Sequence, residues 1–79
     1  MAEYIEPYTT GTASQASDEI TGVGTTWTSD MVGRSFVFAD DTDGGTITEF
    51  TDATHLIVNT SQTVGSQDYS ITFARLNTL

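Results

Sequence analysis

The sequence predicts an all-β fold: a small antiparallel sandwich or barrel of about six short strands with an extended N-terminal arm. Three observations carry this. Thr is the commonest residue, with Ser, Val and Ile in support, which is strand rather than helix composition. No window keeps an apolar i, i+3, i+4, i+7 stripe over three turns. Turn signals recur about every ten residues, at Gly22-Val23-Gly24, Ser29-Asp30, Asp40 to Gly45, Thr51-Asp52-Ala53 and Gly65 to Asp68.

Strands are expected at Thr10–Ala16, Asp18–Val23, Ser35–Ala39, Thr46–Phe50, Leu56–Thr60 and Tyr69–Ala74. In the last, Tyr69, Ile71 and Phe73 share one face while Ser70, Thr72 and Ala74 share the other. Phe36 and Phe38 likewise share a face, and Leu56-Ile57-Val58 is an unbroken apolar run that suits a strand covered on both sides. Asp40 to Gly45 is expected as a tight hairpin link, the Asp side chains bonding the turn backbone and the glycines supplying positive φ. Thr51 to His55 forms a second tight turn, and Thr28 to Gly33 a single helical turn capped by Thr28 or Ser29. The chain divides into an arm, residues 1–9, and one small β domain, residues 10–79.

At 79 residues the chain has room for one domain. A domain of this size buries only about 60% of the surface its unfolded chain exposes. The chain has no cysteine, so disulfides and thiolate metal sites are excluded, and contact with other copies or a larger body is the expected supplement to stability. Eleven acidic residues stand against two basic ones, Arg34 and Arg75. That balance excludes nucleic-acid binding built on several phosphate contacts, and it disfavours anionic membrane surfaces. There is no signal-peptide pattern and no span-length apolar run, so a cytosolic product, or one released by lysis, is expected.

Chemistry finds little purchase. Asp41-Thr42-Asp43-Gly44 has the look of a calcium loop, but with Gly44 at the glycine position the first place falls on Ala39 and the twelfth on Phe50, so it is expected to be a turn. His55 is the only histidine and has no nucleophile motif beside it; it is expected to mark the entry to a strand. No enzyme activity, metal or cofactor is expected. Trp27 is expected as the largest core residue rather than a sugar-stacking platform. Arg34 is expected to bond a carboxylate, in the chain or across an interface. The arm places Tyr4, Ile5 and Tyr8 around Pro7, poor design for an exposed segment of a free monomer. It is therefore expected on a neighbouring surface, the alternative being an edge strand of its own domain. Tyr4, Ile5, Tyr8 and Arg34 are the expected interface residues.

Six pieces stand in a fixed order: Thr10-Gly11-Thr12-Ala13-Ser14; Glu19-Ile20-Thr21-Gly22-Val23-Gly24-Thr25-Thr26-Trp27-Thr28; Met31-Val32-Gly33-Arg34-Ser35-Phe36-Val37-Phe38; Thr46-Ile47-Thr48-Glu49-Phe50; Asp52-Ala53-Thr54-His55-Leu56-Ile57-Val58; and Tyr69-Ser70-Ile71. This series, over about residues 8–73, resembles a module of tailed-phage structural proteins, departing from it in Phe50 where a smaller apolar residue is usual. The resemblance implies a virion structural protein without catalytic residues. With no appended fibre, spike or enzymatic domain, it implies most directly a capsid decoration (cement) protein, bound to the major capsid protein on the shell exterior at capsomer junctions, as a homo-oligomer and commonly a trimer. A head–tail connector or tail- or fibre-attachment protein is the alternative within the same class; a glycan- or receptor-binding module is the alternative from another.

Overall fold

The computed structural model describes residues 7–72. The fold is all-β: β1 (Thr12–Val23), β2 (Ser35–Phe38), β3 (Asp43–Asp52), β4 (His55–Gln67) and β5 (Tyr69–Thr72), with a single 3-10 turn at Ser29–Met31 between β1 and β2. All neighbours are antiparallel, in the order β1-β4-β3-β2-β5.

The two ends of that order are joined. Tyr8, just before β1, pairs with Ile71 of β5. Further along, the chain enters β1 and pairs with β4 instead, Ala13 with Gln67 and Gln15 with Val64. The sheet thus returns on itself as a small barrel whose two ends meet at one bridge among the described residues, leaving little open edge there.

β1 does not run straight. Twelve extended residues would separate its ends by roughly 35–40 Å. Instead, a Cβ on Gly11 would strike the Val23 carbonyl oxygen, and the Tyr8 hydroxyl bonds Thr26. The strand folds back at Ser17, whose φ is +59°. The four residues around that bend, Ala16 to Glu19, are all exposed, whereas Ala13, Gln15, Ile20 and Gly22 on its two limbs are buried. The sequence expectation of two strands, Thr10–Ala16 and Asp18–Val23, gives way to the single β1 bent at Ser17, so the described residues hold five strands rather than about six. Gly11 (φ +81°) is needed where the limbs meet, because any side chain would collide with backbone.

A buried amide holds the bend. Gln15 is 2% exposed. Its Nε2 donates to the Ser17 carbonyl at 2.8 Å and reaches the Thr60 carbonyl and hydroxyl at 3.2 and 3.1 Å. Its Oε1 accepts from Gln62 Nε2, which also donates to the Asp43 carbonyl. Thr60 Oγ1 in turn donates to the Gly44 carbonyl. The network accommodates a register slip: Ser17 pairs with Gln62 but Glu19 with Ile57, leaving β4 with extra residues opposite the β1 bend.

The core is Ala13, Ile20, Trp27, Met31, Phe36, Phe38, Ile47, Leu56, Val58, Val64, Tyr69 and Ile71. Its centre is aromatic. Phe36 stacks on Tyr69 at 5.0 Å between ring centroids, and Trp27 meets both edge-on at 6.2 and 5.8 Å.

Three sequence expectations need correction. β4 does not stop at Thr60; it runs on through the polar Ser61–Gln67, where the turn at Gly65 to Asp68 was expected, because pairing with β1 satisfies its backbone. The apolar run Leu56-Ile57-Val58 is not covered on both sides: Leu56 and Val58 are buried and Ile57 only half so, as one wall of a barrel requires. In the Asp40 to Gly45 link Gly45 supplies the expected positive φ, but Gly44 and Gly45 lie inside β3, and the turn itself takes its positive φ from Asp41 (+72°). There Gly45 (φ +89°) forms the bulge between Phe36 and Val37 of β2, and Gly44 packs beneath the Phe36 ring.

Replacing Gln15 by Leu keeps the volume and removes the amide, stranding the Ser17 and Thr60 carbonyls. A loss of about 1–3 kcal/mol in urea denaturation is expected; an unchanged midpoint would show that the network carries no stability.

Candidate interaction surface

Of the four residues expected at an interface, Tyr4 and Ile5 lie outside the described residues, as do Phe73 and Arg75. Tyr8 is half-buried and sits in the chain's own sheet. It exchanges both backbone hydrogen bonds with Ile71 at 2.9 Å, and its ring lies tilted against Tyr69 at 6.4 Å. Its hydroxyl accepts the Thr26 N–H and bonds Thr26 Oγ1, both at 2.9 Å. Burial raises the Tyr8 hydroxyl's pKa, but the bonds from Thr26 and Thr10 outweigh it and leave the value below the ordinary one. Tyr8, expected in the arm, is thus part of the β domain.

Arg34 follows Gly33 (φ +94°), which ends the 3-10 turn. Its backbone is fixed on both sides: the N–H donates to the Met31 carbonyl and the carbonyl accepts the Ile47 N–H. The side chain is 18% exposed, with Nη2 3.7 Å from Asp30 Oδ2. The carboxylate expected for it is thus in the chain, one residue inside the short turn. At that distance and exposure the pair orients Arg34 more than it stabilises the fold.

Topology brings Tyr8 and Arg34 to the same end. Tyr8 pairs with Ile71, Ile71 with Phe36, and Thr72 with Ser35, the residue after Arg34. Pro7, Thr72 and Arg34 therefore share one end of β2, beside Val32, a large apolar side chain left 44% exposed. The other end of β2 is acidic. Ala39 N–H donates to the Asp68 carbonyl, and Asp40 N–H to Gln67 Oε1, which draws Asp68 against Asp40, Asp41 and Asp43. Thr42 N–H donates to Asp40 Oδ1, and hydrogen bonding from Thr42, by its side chain first and its backbone second, holds the carboxyl below the usual range.

Trp27 is core. It is 2% exposed, and its Nε1–H donates to the Tyr69 hydroxyl at 3.0 Å, so it offers no ring face to a sugar. The Tyr69 hydroxyl passes a hydrogen bond on to the Thr10 carbonyl, and burial pushes its pKa up to about 12. Among the described residues no group of three or more His, Asp or Glu side chains is placed to hold a metal.

His55 opens β4, as the sequence suggests. Its Nδ1 lies 2.9 Å from both Asp52 Oδ1 and Thr54 Oγ1, and Asp52 Oδ1 also accepts the Thr54 N–H. The turn so braced receives the neighbouring segment: the Ala53 carbonyl accepts Trp27 N–H and the Thr25 hydroxyl, and the Thr54 carbonyl accepts Gly22 N–H.

The hydrogen bond to Asp52 holds the His55 pKa above its ordinary value, with the charges of Asp52 and Glu19 adding to it; the bond from His55, then that from Thr54, holds Asp52 below its own. A raised histidine contributes stability that is complete below its unfolded pKa, about 6.5, and is lost as pH rises through the folded value. A lowered aspartate contributes above about 3.9 and loses its share as pH falls through the folded value. The Tm advantage of the wild type over His55→Gln should therefore shrink as pH rises from about 5.5 to about 8.5; a difference independent of pH would exclude the pair from the fold's stability.

No family model matches the chain, and no curated protein or solved structure matches it.

Proposed function

We propose that this chain is a non-enzymatic structural protein of a tailed-phage particle: a capsid decoration (cement) protein that binds the major capsid protein outside the shell and stabilises capsomer junctions as a homo-oligomer, a trimer being the natural state there. The observation that carries this reading is the ordered series of sequence pieces shared with phage structural modules, together with what those pieces do. Thr10, Gly11, Gly22, Thr25, Trp27, Met31, Phe36, Ala53, Thr54, Tyr69 and Ile71 bond or pack against one another across the barrel. A pattern whose parts depend on each other in space is less open to chance than six short matches taken singly.

The surface suits the same role. Arg34, Val32 and the end from which the arm departs form a small patch with a cation and an apolar side chain, while Asp40, Asp41, Asp43 and Asp68 sit at the far end of β2. On a shell exterior the first end meets protein and the second meets solvent, away from packaged DNA. The glycan-binding alternative loses its candidate platform, because the Trp27 ring is inside the core.

Copy number in purified particles tests the proposal. Hundreds of copies by quantitative gel densitometry or cryo-EM are expected; six or twelve would make the protein a connector, and absence would end the virion reading. Arg34→Glu and, separately, deletion of residues 1–6 should each lower occupancy on stripped particles at least tenfold while the Tm stays within a few degrees. The deletion must stop before Pro7, because Tyr8 belongs to the barrel.

A further inference from the structure

The barrel is closed by its weakest seam. β2 and β5 are joined by four consecutive pairs, from Ser35–Thr72 to Phe38–Tyr69. Across the other side of β5, among the described residues, only Tyr8 pairs, with Ile71, and the next pair inward is Ala13 with Gln67 of β4. The gap has a local cause: at Asp68 the chain turns toward β2, its carbonyl accepting the Ala39 N–H. Pro7, Thr9 and Thr10 are exposed, so Tyr8 alone supplies partly buried apolar surface.

Two hydroxyls fasten this segment. The Tyr8 hydroxyl is held by Thr26, and the Thr10 carbonyl accepts from the Tyr69 hydroxyl, which itself accepts from Trp27. Directly after Thr10 comes Gly11, with φ +81° and no room for a side chain. A short, singly paired segment with a glycine at its base and its fasteners at its middle has the construction of a strap.

We propose that residues 7–10 are a releasable strap: a local opening about Gly11 that breaks the Tyr8–Ile71 pair, bares the β5 edge and uncovers the Trp27–Tyr69 end of the core while the rest of the barrel stays folded. Among the described residues that opening breaks the Tyr8–Ile71 pair, the Tyr8–Thr26 bonds and the Tyr69–Thr10 bond but leaves the β1–β4, β3–β4, β2–β3 and β2–β5 ladders intact, so its free energy lies below that of global unfolding. This device stands on the barrel's own geometry and does not depend on the virion proposal.

Amide hydrogen exchange on the full chain, read residue by residue by NMR, tests it. The amides of Ile71 and Tyr8, bonded across the seam, should exchange at least tenfold faster than those of Ile47 and Gly22, which bond Arg34 and Thr54 elsewhere in the barrel. Tyr8→Phe keeps the ring and removes the Thr26 bonds; it should widen the gap further, raise acrylamide quenching of Trp27 fluorescence and leave Ile47 and Gly22 unchanged. One common rate for all four amides in the wild type, or a uniform acceleration of all four by Tyr8→Phe, would overturn the strap and make the seam part of a single cooperative unit. Should Tyr8→Phe fail to fold, the wild-type rates decide alone.

Discussion

The hydrogen-bond chain from the Trp27 indole through the Tyr69 hydroxyl to the Thr10 carbonyl is the constraint around which this barrel is organised. Its atoms lie in an aromatic cluster where an unpaired polar group would be costly. Satisfying them requires three distant stretches of sequence to arrive together: the segment before β1, the loop after it, and β5. Apolar burial alone is indifferent to small slips of register. A buried donor and acceptor of fixed reach are not, so this chain sets which residues meet as well as how tightly they pack.

A chain this short closes a barrel only by bending its strands. β1 doubles back at Ser17, β4 serves different neighbours along its length, and β3 carries bulges against both β2 and β4. Each bend strands backbone groups and needs a local remedy. Gln15 supplies one from inside, bonding the carbonyls of Ser17 and Thr60, and no buried side-chain nitrogen or oxygen among the described residues is left without a partner. The β3 bulge after Ile47 also explains Phe50: it shifts the phase of the strand so that Phe50 packs against the core and Glu49 points to solvent.

The residues behind the phage-module resemblance are nearly all structural. The Asp52-Ala53-Thr54 turn accepts bonds from Gly22, Thr25 and Trp27, so two of the shared pieces form one joint. Among the residues of these pieces Val32 stands apart, a large apolar side chain left 44% exposed beside the half-buried Arg34. This division of labour suits a domain with no crosslink, because its interior has little stability to spare for function.

The strand periodicities, the core positions of Trp27, Phe36, Phe38, Tyr69 and Ile71, and the turn role of the Asp-rich link were legible in the sequence, because apolar alternation and turn chemistry are local properties. The polar half of β4 was not legible: Ser61 to Gln67 carries one large apolar residue, Val64, and becomes a strand only because β1 supplies its backbone partners. For the same reason Tyr8, read as part of an arm, turned out to close the sheet, and Arg34 found its carboxylate at Asp30 within its own turn. Composition and pattern determine which residues must leave water. Only closure of the barrel, a relation between residues far apart in the chain, decides which backbone edges and which hydroxyls are left to meet.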